Sequence, residues 1–135
     1  DAETWRPETS ADLLLLDAPC SALGTLRRHP EGAWIKRETD IARFPDVQYR
    51  LLKAATEMVR PGGTILYCVC TPLKAEGVDV VDRAIADGLV TRLPVTPEEA
   101  PGFADSITDH GDVLTLPGEG AEHDAFFMAR LSPQR

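Results

Sequence analysis

Runs of apolar residues bounded by turn residues place the first two strands of the chain. Leu13–Leu16 is a four-leucine run without alternation, and it ends at Asp17-Ala18-Pro19. Thr64–Val69 is a second run, β-branched and apolar, and it follows Pro61-Gly62-Gly63. A short continuous apolar run between turn residues is typical of a strand buried on both faces of a parallel sheet. Both runs are therefore predicted to be strands of this kind.

Helical spacing of apolar residues predicts two helices. Residues 21–45 contain several helix breakers and are predicted to be irregular. A helix is expected from an N-cap at Pro45-Asp46 until Pro61-Gly62-Gly63 stops it. A second helix is expected from Thr71-Pro72, which suit an N-cap and a first helical position, through about Asp87.

The remaining segments predict three short strands and one long loop. Leu89–Leu93 is a third strand, and residues 94–111 are a long loop with one helical turn. Val113–Leu116 and Ala125–Leu131 are two further strands around a turn at Gly118–Gly120. Strands alternating with helices predict an α/β sandwich in which parallel strands are joined by helices.

Length and composition indicate one globular domain. The chain has 135 residues, of which 43% are apolar and 27% charged. No apolar run approaches the roughly 20 residues that a membrane span needs. Three cysteines without a disulfide spacing are expected to be reduced thiols in a cytoplasmic protein. Because the first residue is Asp rather than Met, the chain is expected to be a piece of something longer.

Charge is distributed unevenly along the chain. The net charge is −8, which argues against a generally basic nucleic-acid binder. Residues 27–60 nevertheless carry eight basic and five acidic side chains, whereas the other 101 residues carry six basic and 17 acidic ones. This segment is either a local patch that faces phosphate or a solvated helix face of mixed charge.

Two cysteines follow the first two predicted strands. Ligands of open parallel sheets bind beyond the carboxyl ends of the strands, so Cys20, Cys70 and Asp17 are expected to share one crevice. Cys70 is the better nucleophile if a helix beginning at Pro72 points its positive end at the thiol. Cys68 lies deeper on the same strand and is interpreted as packing. For any of the three, a buried small hydrophobe remains the alternative.

Three stretches carry a family resemblance that extends over nearly the whole chain. They are LLLLDAPCSALGTLRRHP, VQYRLLKAATEMVRPGGTILYCVCTP and DAFFMARL. In this order they resemble the RNA (cytosine-5)-methyltransferase family, in particular its bacterial Sun/RsmB ribosomal-RNA branch. The resemblance implies a Rossmann-like class I S-adenosylmethionine-dependent methyltransferase fold, here its C-terminal half, with a mostly parallel sheet and a late antiparallel strand.

The resemblance also implies roles for particular residues. Cys70 matches the family nucleophile, which adds to C6 of cytosine so that C5 can take the methyl group of S-adenosylmethionine. Cys20 matches the cysteine that assists product release. Asp17 matches the acid that contacts cofactor and target base, and Asp1 matches an upstream aspartate near the adenine ring.

The resemblance further implies an RNA partner, ribosomal RNA of the 16S type, and a monomeric full-length protein without a membrane segment. The residues expected to contact RNA lie in the basic segment: Arg27, Arg28, His29, Lys36 and Arg37. Phosphate contacts of this type supply affinity without sequence information. Trp34 either stacks on a base or packs on the domain.

The sequence also departs from the family pattern. The glycine-rich cofactor loop lies upstream of DAPCS in the family, and nothing in this chain matches it. Residues 1–135 are therefore expected to form a partial methyltransferase catalytic domain that binds S-adenosylmethionine weakly or not at all in isolation. The loops at Ala22-Leu23-Gly24 and Leu73–Gly77 differ as well, which predicts reduced activity or a different RNA target.

Three alternatives compete with the interpretation as an RNA methyltransferase. The altered loops and the acidic net charge would also suit a non-catalytic RNA-binding or ribosome-assembly module derived from the same fold. A DNA cytosine methyltransferase is less favoured, because in that family the cysteine of the first motif attacks. No metal site is predicted, since Cys68 and Cys70 lack a partner pair with zinc-ligand spacing.

Overall fold

The computed structural model describes residues 1–118 and 123–134, and these contain five strands and four α-helices. The strands are β1 (Ala11–Asp17), β2 (Val59–Val69), β3 (Val90–Arg92), β4 (Val113–Thr115) and β5 (Phe126–Pro133). The helices are α1 (Gly32–Ile35), α2 (Glu38–Ile41), α3 (Phe44–Met58) and α4 (Val78–Ala86). Two 3₁₀ segments are Leu23–Thr25 and Pro101–Ser106. The prediction that residues 21–45 are irregular is therefore wrong for Leu23–Thr25, α1 and α2.

The strands form one mixed sheet in the order β1-β2-β5-β3, and β4 pairs with β5 as well. β1 and β2 are parallel neighbours. β5 is antiparallel to β2, β3 and β4, so it alone among the described strands runs against the others. This arrangement confirms the predicted α/β fold with a mostly parallel sheet and a late antiparallel strand.

The core lies on the face of the sheet that α3 and α4 cover. Leu52 and Ala55 of α3 and Val81 and Ala84 of α4 are almost fully buried there. They pack against side chains from the centre of the sheet, which include Ile65, Tyr67, Val69, Ala129 and Leu131. The helix predicted from an N-cap at Pro45-Asp46 is thereby confirmed as α3, with its apolar stripe against the sheet, although it begins slightly earlier, at Phe44.

The leucine run of β1 is buried on one face only. Leu14 and Leu16 pack against the core, whereas Leu13 and Leu15 are 59% and 65% exposed. The expectation of a strand buried on both faces is wrong for these two residues. The reason is that side chains alternate along a strand, and α3 and α4 both lie on the same side of the sheet.

The junction between α3 and β2 is tighter than the sequence predicted. α3 ends at Met58 and β2 begins at Val59, before the glycines that were expected to separate them. The pairing with β1 shifts from Ala11↔Val59 to Leu13↔Thr64. The extra residues of β2 form an irregularity in which Gly62 has a φ of +75°, a left-handed conformation that suits glycine.

The second helix begins later than expected. α4 begins at Val78 rather than at Pro72, and residues 74–77 form a turn in which the Gly77 N–H donates to Leu73 O. Gly77 lies directly against the Phe127 ring. A Cβ at this position would be only 2.9 Å from the ring, which leaves no room for a side chain. This contact with β5 is not visible in local sequence patterns.

The late strands and the long loop agree with the prediction. β3, β4 and β5 correspond to the three short strands, and the helical turn expected within residues 94–111 is Pro101–Ser106. The turn expected at Gly118–Gly120 lies largely outside the described residues. No helix in the described part of the chain is long and apolar enough to cross a membrane.

Candidate active site

The register of β1 and β2 brings the ends of both strands to one edge of the sheet. Asp17, the last residue of β1, pairs with Cys68 near the end of β2. Beyond this pair the Ala18 N–H donates to Cys68 O at 3.0 Å. The chain segments that carry Cys20 and Cys70 therefore leave the sheet side by side.

The two thiols are in direct contact. The Sγ atoms of Cys20 and Cys70 lie 3.3 Å apart, although 50 residues separate them in the sequence, and both side chains are half-buried. The prediction that these two cysteines meet at the ends of their strands is confirmed. Cys20 lies in the loop after β1, and Cys70 directly follows the last residue of β2.

Gly24 connects the Cys20 loop to two neighbouring chain segments through backbone hydrogen bonds. Its N–H donates to Cys70 O at 2.9 Å, and its own carbonyl accepts from the Ala125 N–H at 3.0 Å. A Cβ on Gly24 would lie 2.0 Å from Ala125 O and 2.8 Å from Cys70 O. Only glycine allows this close approach of three backbone segments, a requirement that the sequence did not reveal.

A buried polar cluster lies beside the thiols, and sequence reasoning missed it. Glu76 is fully buried, and its carboxylate accepts from the Ser21 N–H at 2.8 Å and from the Ser21 hydroxyl at 2.6 Å. Gln48 donates to the same carboxylate at 3.1 Å. The only hint in the sequence is an acid six residues after Cys70, within a segment interpreted as an amphipathic helix.

Burial raises the pKa of two of the three thiols, those of Cys20 and Cys68. Burial, together with the hydrogen bond to Cys70, raises the pKa of Cys20 to about 12. Cys20 therefore keeps its proton at neutral pH and can donate it to the Cys70 sulfur. Burial, with the negative charge of Asp17, raises the pKa of Cys68 to about 11. Cys68 is 4% exposed, in keeping with its interpretation as a packing residue.

The predicted role of a helix end at Cys70 is wrong. The helix that was expected to direct its positive end at this thiol begins only at Val78. Instead the Thr71 hydroxyl accepts from the Leu73 N–H at 3.2 Å and stabilises a turn. The group next to the Cys70 sulfur is the Cys20 thiol.

Asp17 and Asp1 lie in different parts of the structure. Asp17 is exposed at the carboxyl end of β1, where it pairs with Cys68 of β2. The Asp1 carboxylate accepts from the Glu3 N–H at 2.9 Å. Its segment is held to α3 by an ion pair of Arg6 with Glu57. The described contacts do not join the two aspartates, and the role of Asp1 remains a prediction.

The predicted RNA-contacting residues extend from the Cys20 loop to α2. Arg28 donates to Asp124 through Nε and Nη2, at 2.9 and 2.6 Å. Arg27 approaches the same carboxylate at 3.7 Å. This pairing raises the pKa of Arg28 and lowers that of Asp124. Asp124, which precedes β5, was not anticipated as the partner of these arginines.

The other basic residues of this set follow Arg28 along the chain. The His29 imidazole is 3.3 Å from the Glu31 carboxylate, and both side chains are largely exposed. Lys36 caps α1 and is half-buried, while Arg37 precedes α2 and is exposed. Trp34 is 91% exposed, so the alternative in which it packs on the domain does not hold for the described structure.

The fold and the paired thiols together define a class of protein. A mixed sheet with one reversed strand, helices on its face and cysteines at the carboxyl ends of two parallel strands is the architecture of Rossmann-like methyltransferases that carry strand-end thiols.

Known proteins match nearly the whole chain. Ribosomal RNA small subunit methyltransferase B of Cronobacter sakazakii is 38% identical over 128 residues, which cover 95% of this chain and 28% of that protein. The crystal structure of PH0851 superimposes with a TM-score of 0.77 at 32% identity, covering 90% of this chain and 26% of that one. A methyltransferase homologue from Pyrococcus horikoshii gives a TM-score of 0.68 at 26% identity, covering 92% of this chain and 39% of that one.

Residues 1–132 match the family described as 16S rRNA methyltransferase RsmB/F, and the chain belongs to this family. The resemblance to ribosomal-RNA methyltransferases inferred from the sequence is thereby confirmed. The chain spans little more than a quarter of the length of the curated relative that it matches.

Proposed function

We propose that this protein methylates C5 of cytosine in RNA, ribosomal RNA of the 16S type, with S-adenosylmethionine as the methyl donor. The 3.3 Å contact between the Cys20 and Cys70 sulfurs carries the proposal. Two unbonded thiols from separate chain segments meet at the carboxyl ends of parallel strands, where ligands of such sheets bind. Family membership supports the same chemistry.

The reaction needs a nucleophile because C5 of cytosine is itself a poor one. The Cys70 thiolate adds to C6 and forms a covalent bond, which makes C5 electron-rich. S-adenosylmethionine supplies the methyl group that C5 then takes up. A base removes the C5 proton, the Cys70–C6 bond breaks, and the sulfur leaves as a thiolate.

The raised pKa of Cys20 suits this thiol to a role as a proton donor. Cys20 holds its proton at neutral pH, since its pKa is raised to about 12, so it is a poor nucleophile there. Its S–H group lies within hydrogen-bond reach of the Cys70 sulfur. It therefore stabilises the thiolate that departs when the adduct breaks, and this is the release role that we assign to it.

Asp17 is suited to the ligand contacts expected of it. Its carboxylate is exposed at the carboxyl end of a parallel strand, where ligands of such sheets bind. A carboxylate there can accept from ammonium, hydroxyl or amino groups of a cofactor or a cytosine. We assign to Asp1 the more distant adenine contact. We assign backbone contacts with RNA to Arg27, Arg28, His29, Lys36 and Arg37.

The test is covalent capture of the full-length polypeptide on RNA that contains 5-fluorocytosine. Fluorine at C5 cannot leave as a proton does, so a stable adduct should form and be visible as a shifted band. Cys70→Ala should abolish this adduct. Cys20→Ala should accumulate an adduct even with ordinary RNA, and Cys68→Ala should behave as the wild type.

An adduct that persists in Cys70→Ala would refute the assignment of the nucleophile. RNA binding with no adduct from any form of the protein would favour the non-catalytic RNA-binding module instead. Digestion of the captured complex and mass spectrometry of the linked peptide identify the attacking residue directly.

A further inference from the structure

The loop that carries Cys20 is held on both sides of the cysteine by buried side chains. Ser21 is 0% exposed and binds Glu76 through both its N–H and its hydroxyl. On the other side, Gln48 donates to Pro19 O at 3.0 Å. Cys20 thus sits between two anchored residues, and both anchors lead to the same buried pair, Gln48 and Glu76.

Glu76 is the centre of this arrangement. One carboxylate oxygen accepts from the Ser21 N–H and from Gln48 Nε2, and the other accepts from the Ser21 hydroxyl. All three partners are donors, which suits an ionised carboxylate in acceptor positions only. The Tyr67 hydroxyl also donates to the backbone carbonyl of Glu76 at 2.5 Å, so the residue is fixed at its main chain as well.

The orientation of the Gln48 amide agrees with this view. Its Nε2 faces the Glu76 carboxylate and Pro19 O, while its Oε1 has no hydrogen-bond partner among the described residues. Reversing the amide would place Oε1 against two acceptors. A buried oxygen without a hydrogen-bond partner costs free energy. The amide nevertheless keeps the orientation in which its Nε2 binds both Glu76 and Pro19 O.

Glu76 itself belongs to the segment that follows Cys70. The carboxylate therefore joins the loop of one cysteine to the chain segment of the other. The Ser21 and Thr71 hydroxyl oxygens, 3.2 Å apart, add a second link between the residues that directly follow the two cysteines. Hydrogen bonds to a buried charge are stronger than those between neutral groups, which makes Glu76 the dominant link.

We propose that Glu76 is a positioning residue, whose buried carboxylate holds Ser21 and thereby sets the contact between the sulfurs of Cys20 and Cys70. The role of Glu76 in the reaction rests on the proposed function above. The effect of Glu76 on the distance between the two sulfurs is independent of that function, so the two can be measured separately.

The geometric test is the rate at which diamide, which accepts two electrons and two protons, converts the Cys20 and Cys70 thiols of the full-length polypeptide into a disulfide. Glu76→Gln keeps the shape of the side chain but presents an amide N–H₂ group to a donor. We expect the cross-linking rate to fall about tenfold, as befits loss of a hydrogen bond to a charged group. Asp79→Asn, an exposed acid three residues away, makes the same change of charge and should leave the rate unchanged.

Two further readouts separate positioning from general loosening. The thermal midpoint of Glu76→Gln should fall, because buried hydrogen bonds are lost, but the variant should still fold and buried Cys68 should remain protected from alkylation. Ser21→Ala removes the hydroxyl donor but keeps the backbone donor, so it should slow cross-linking to a smaller extent. If Glu76→Gln does not fold, the Ser21→Ala result decides the matter.

Cross-linking at the wild-type rate in the folded variants would overturn the proposal, as would slower cross-linking accompanied by exposure of Cys68. In the reaction, Glu76→Gln should resemble Cys20→Ala and accumulate adduct on ordinary RNA. Slower cross-linking without any adduct in the wild type would leave the positioning role intact and refute only the proposed function.

Discussion

The Gly24 N–H donates to the carbonyl of Cys70 at 2.9 Å, so the loop after β1 is bound to the very residue whose thiol faces Cys20. This hydrogen bond, the Ser21–Glu76 anchor and the sulfur contact all join the same two chain segments. At the site, the loop after β1 and the segment after β2 are therefore held together by several short contacts at the edge of the sheet. Its parts can be tested one at a time.

Gly24→Ala should be strongly destabilising. The new methyl group would lie 2.0 Å from Ala125 O, and backbone atoms cannot yield as a flexible side chain can. We expect a loss of about 1–3 kcal/mol in the free energy of unfolding, the usual cost of overpacking. Urea titration followed by circular dichroism measures it.

Gly102→Ala is the matched control for this substitution. A Cβ at Gly102 would have no neighbour within 4 Å, so the change should stay within about 0.5 kcal/mol. Equal effects of the two substitutions would mean that the tight approach at Gly24 does not exist in solution.

Cys20 should react slowly with iodoacetamide at pH 8. Because its pKa is raised to about 12, only a very small fraction is thiolate, and the rate should rise about tenfold per pH unit over the alkaline range below that pKa. The measurement uses a Cys68→Ser, Cys70→Ala background, with the same protein in urea as the unfolded reference. Replacing Cys70 removes one cause of the raised pKa but leaves burial, its largest cause.

The same raised pKa has a consequence for stability. The unfolded thiol ionises near pH 9, whereas the folded one holds its proton until about pH 12. The stabilisation from this group is thus complete below pH 9 and is lost as the pH rises from 9 to 12. Cys20→Ser should show a smaller alkaline decline, since Cys68 still contributes its own, and identical pH profiles would contradict the assignment.

Asp124→Asn should strengthen RNA binding. In the free protein Arg28 is occupied by the Asp124 carboxylate, and Arg27 lies 3.7 Å from it. Removing the anion releases cationic charge for phosphate, and the slope of log K against log salt should steepen by about 0.7 for each new contact with single-stranded RNA. Fluorescence anisotropy at several salt concentrations measures both quantities.

Asp109→Asn serves as the control for Asp124→Asn, since it removes an equally negative but exposed side chain for which no ion pair is found among the described residues. It should change affinity much less. Arg28→Ala should weaken binding and flatten the salt slope. If Asp124→Asn weakens binding as well, Arg28 needs its partner in order to bind RNA.

Glu99 should contribute to stability at neutral pH but not in acid. Hydrogen bonds from Arg130 hold the pKa of this carboxyl at about 2, well below the 4.5 of an unperturbed glutamate. The contribution is complete above pH 4.5 and is lost as the pH falls towards 2. Thermal midpoints of Glu99→Gln and wild type should differ at pH 7 and converge near pH 2, whereas Glu98→Gln should follow the wild type throughout.

The sequence by itself determined the order of the five strands and of the two long helices, α3 and α4, and the meeting of Cys20 and Cys70. It did not predict the short helices α1 and α2. Apolar runs and helical spacing are local signals, and the parallel pairing of β1 with β2 brings the ends of these strands together. The start of α4 escaped prediction because the contact of Gly77 with Phe127 is made across the sheet.

Only the tertiary structure decided which face of β1 is buried and what surrounds the thiols. An unbroken run of leucines does not say on which side the helices lie, and both α3 and α4 cover the side of Leu14 and Leu16. The environment of a thiol is made by residues distant in sequence, here Glu76, Gln48 and Gly24. Hydrogen bonds between such residues leave no periodic trace in the chain, because they depend on how separate segments pack in three dimensions.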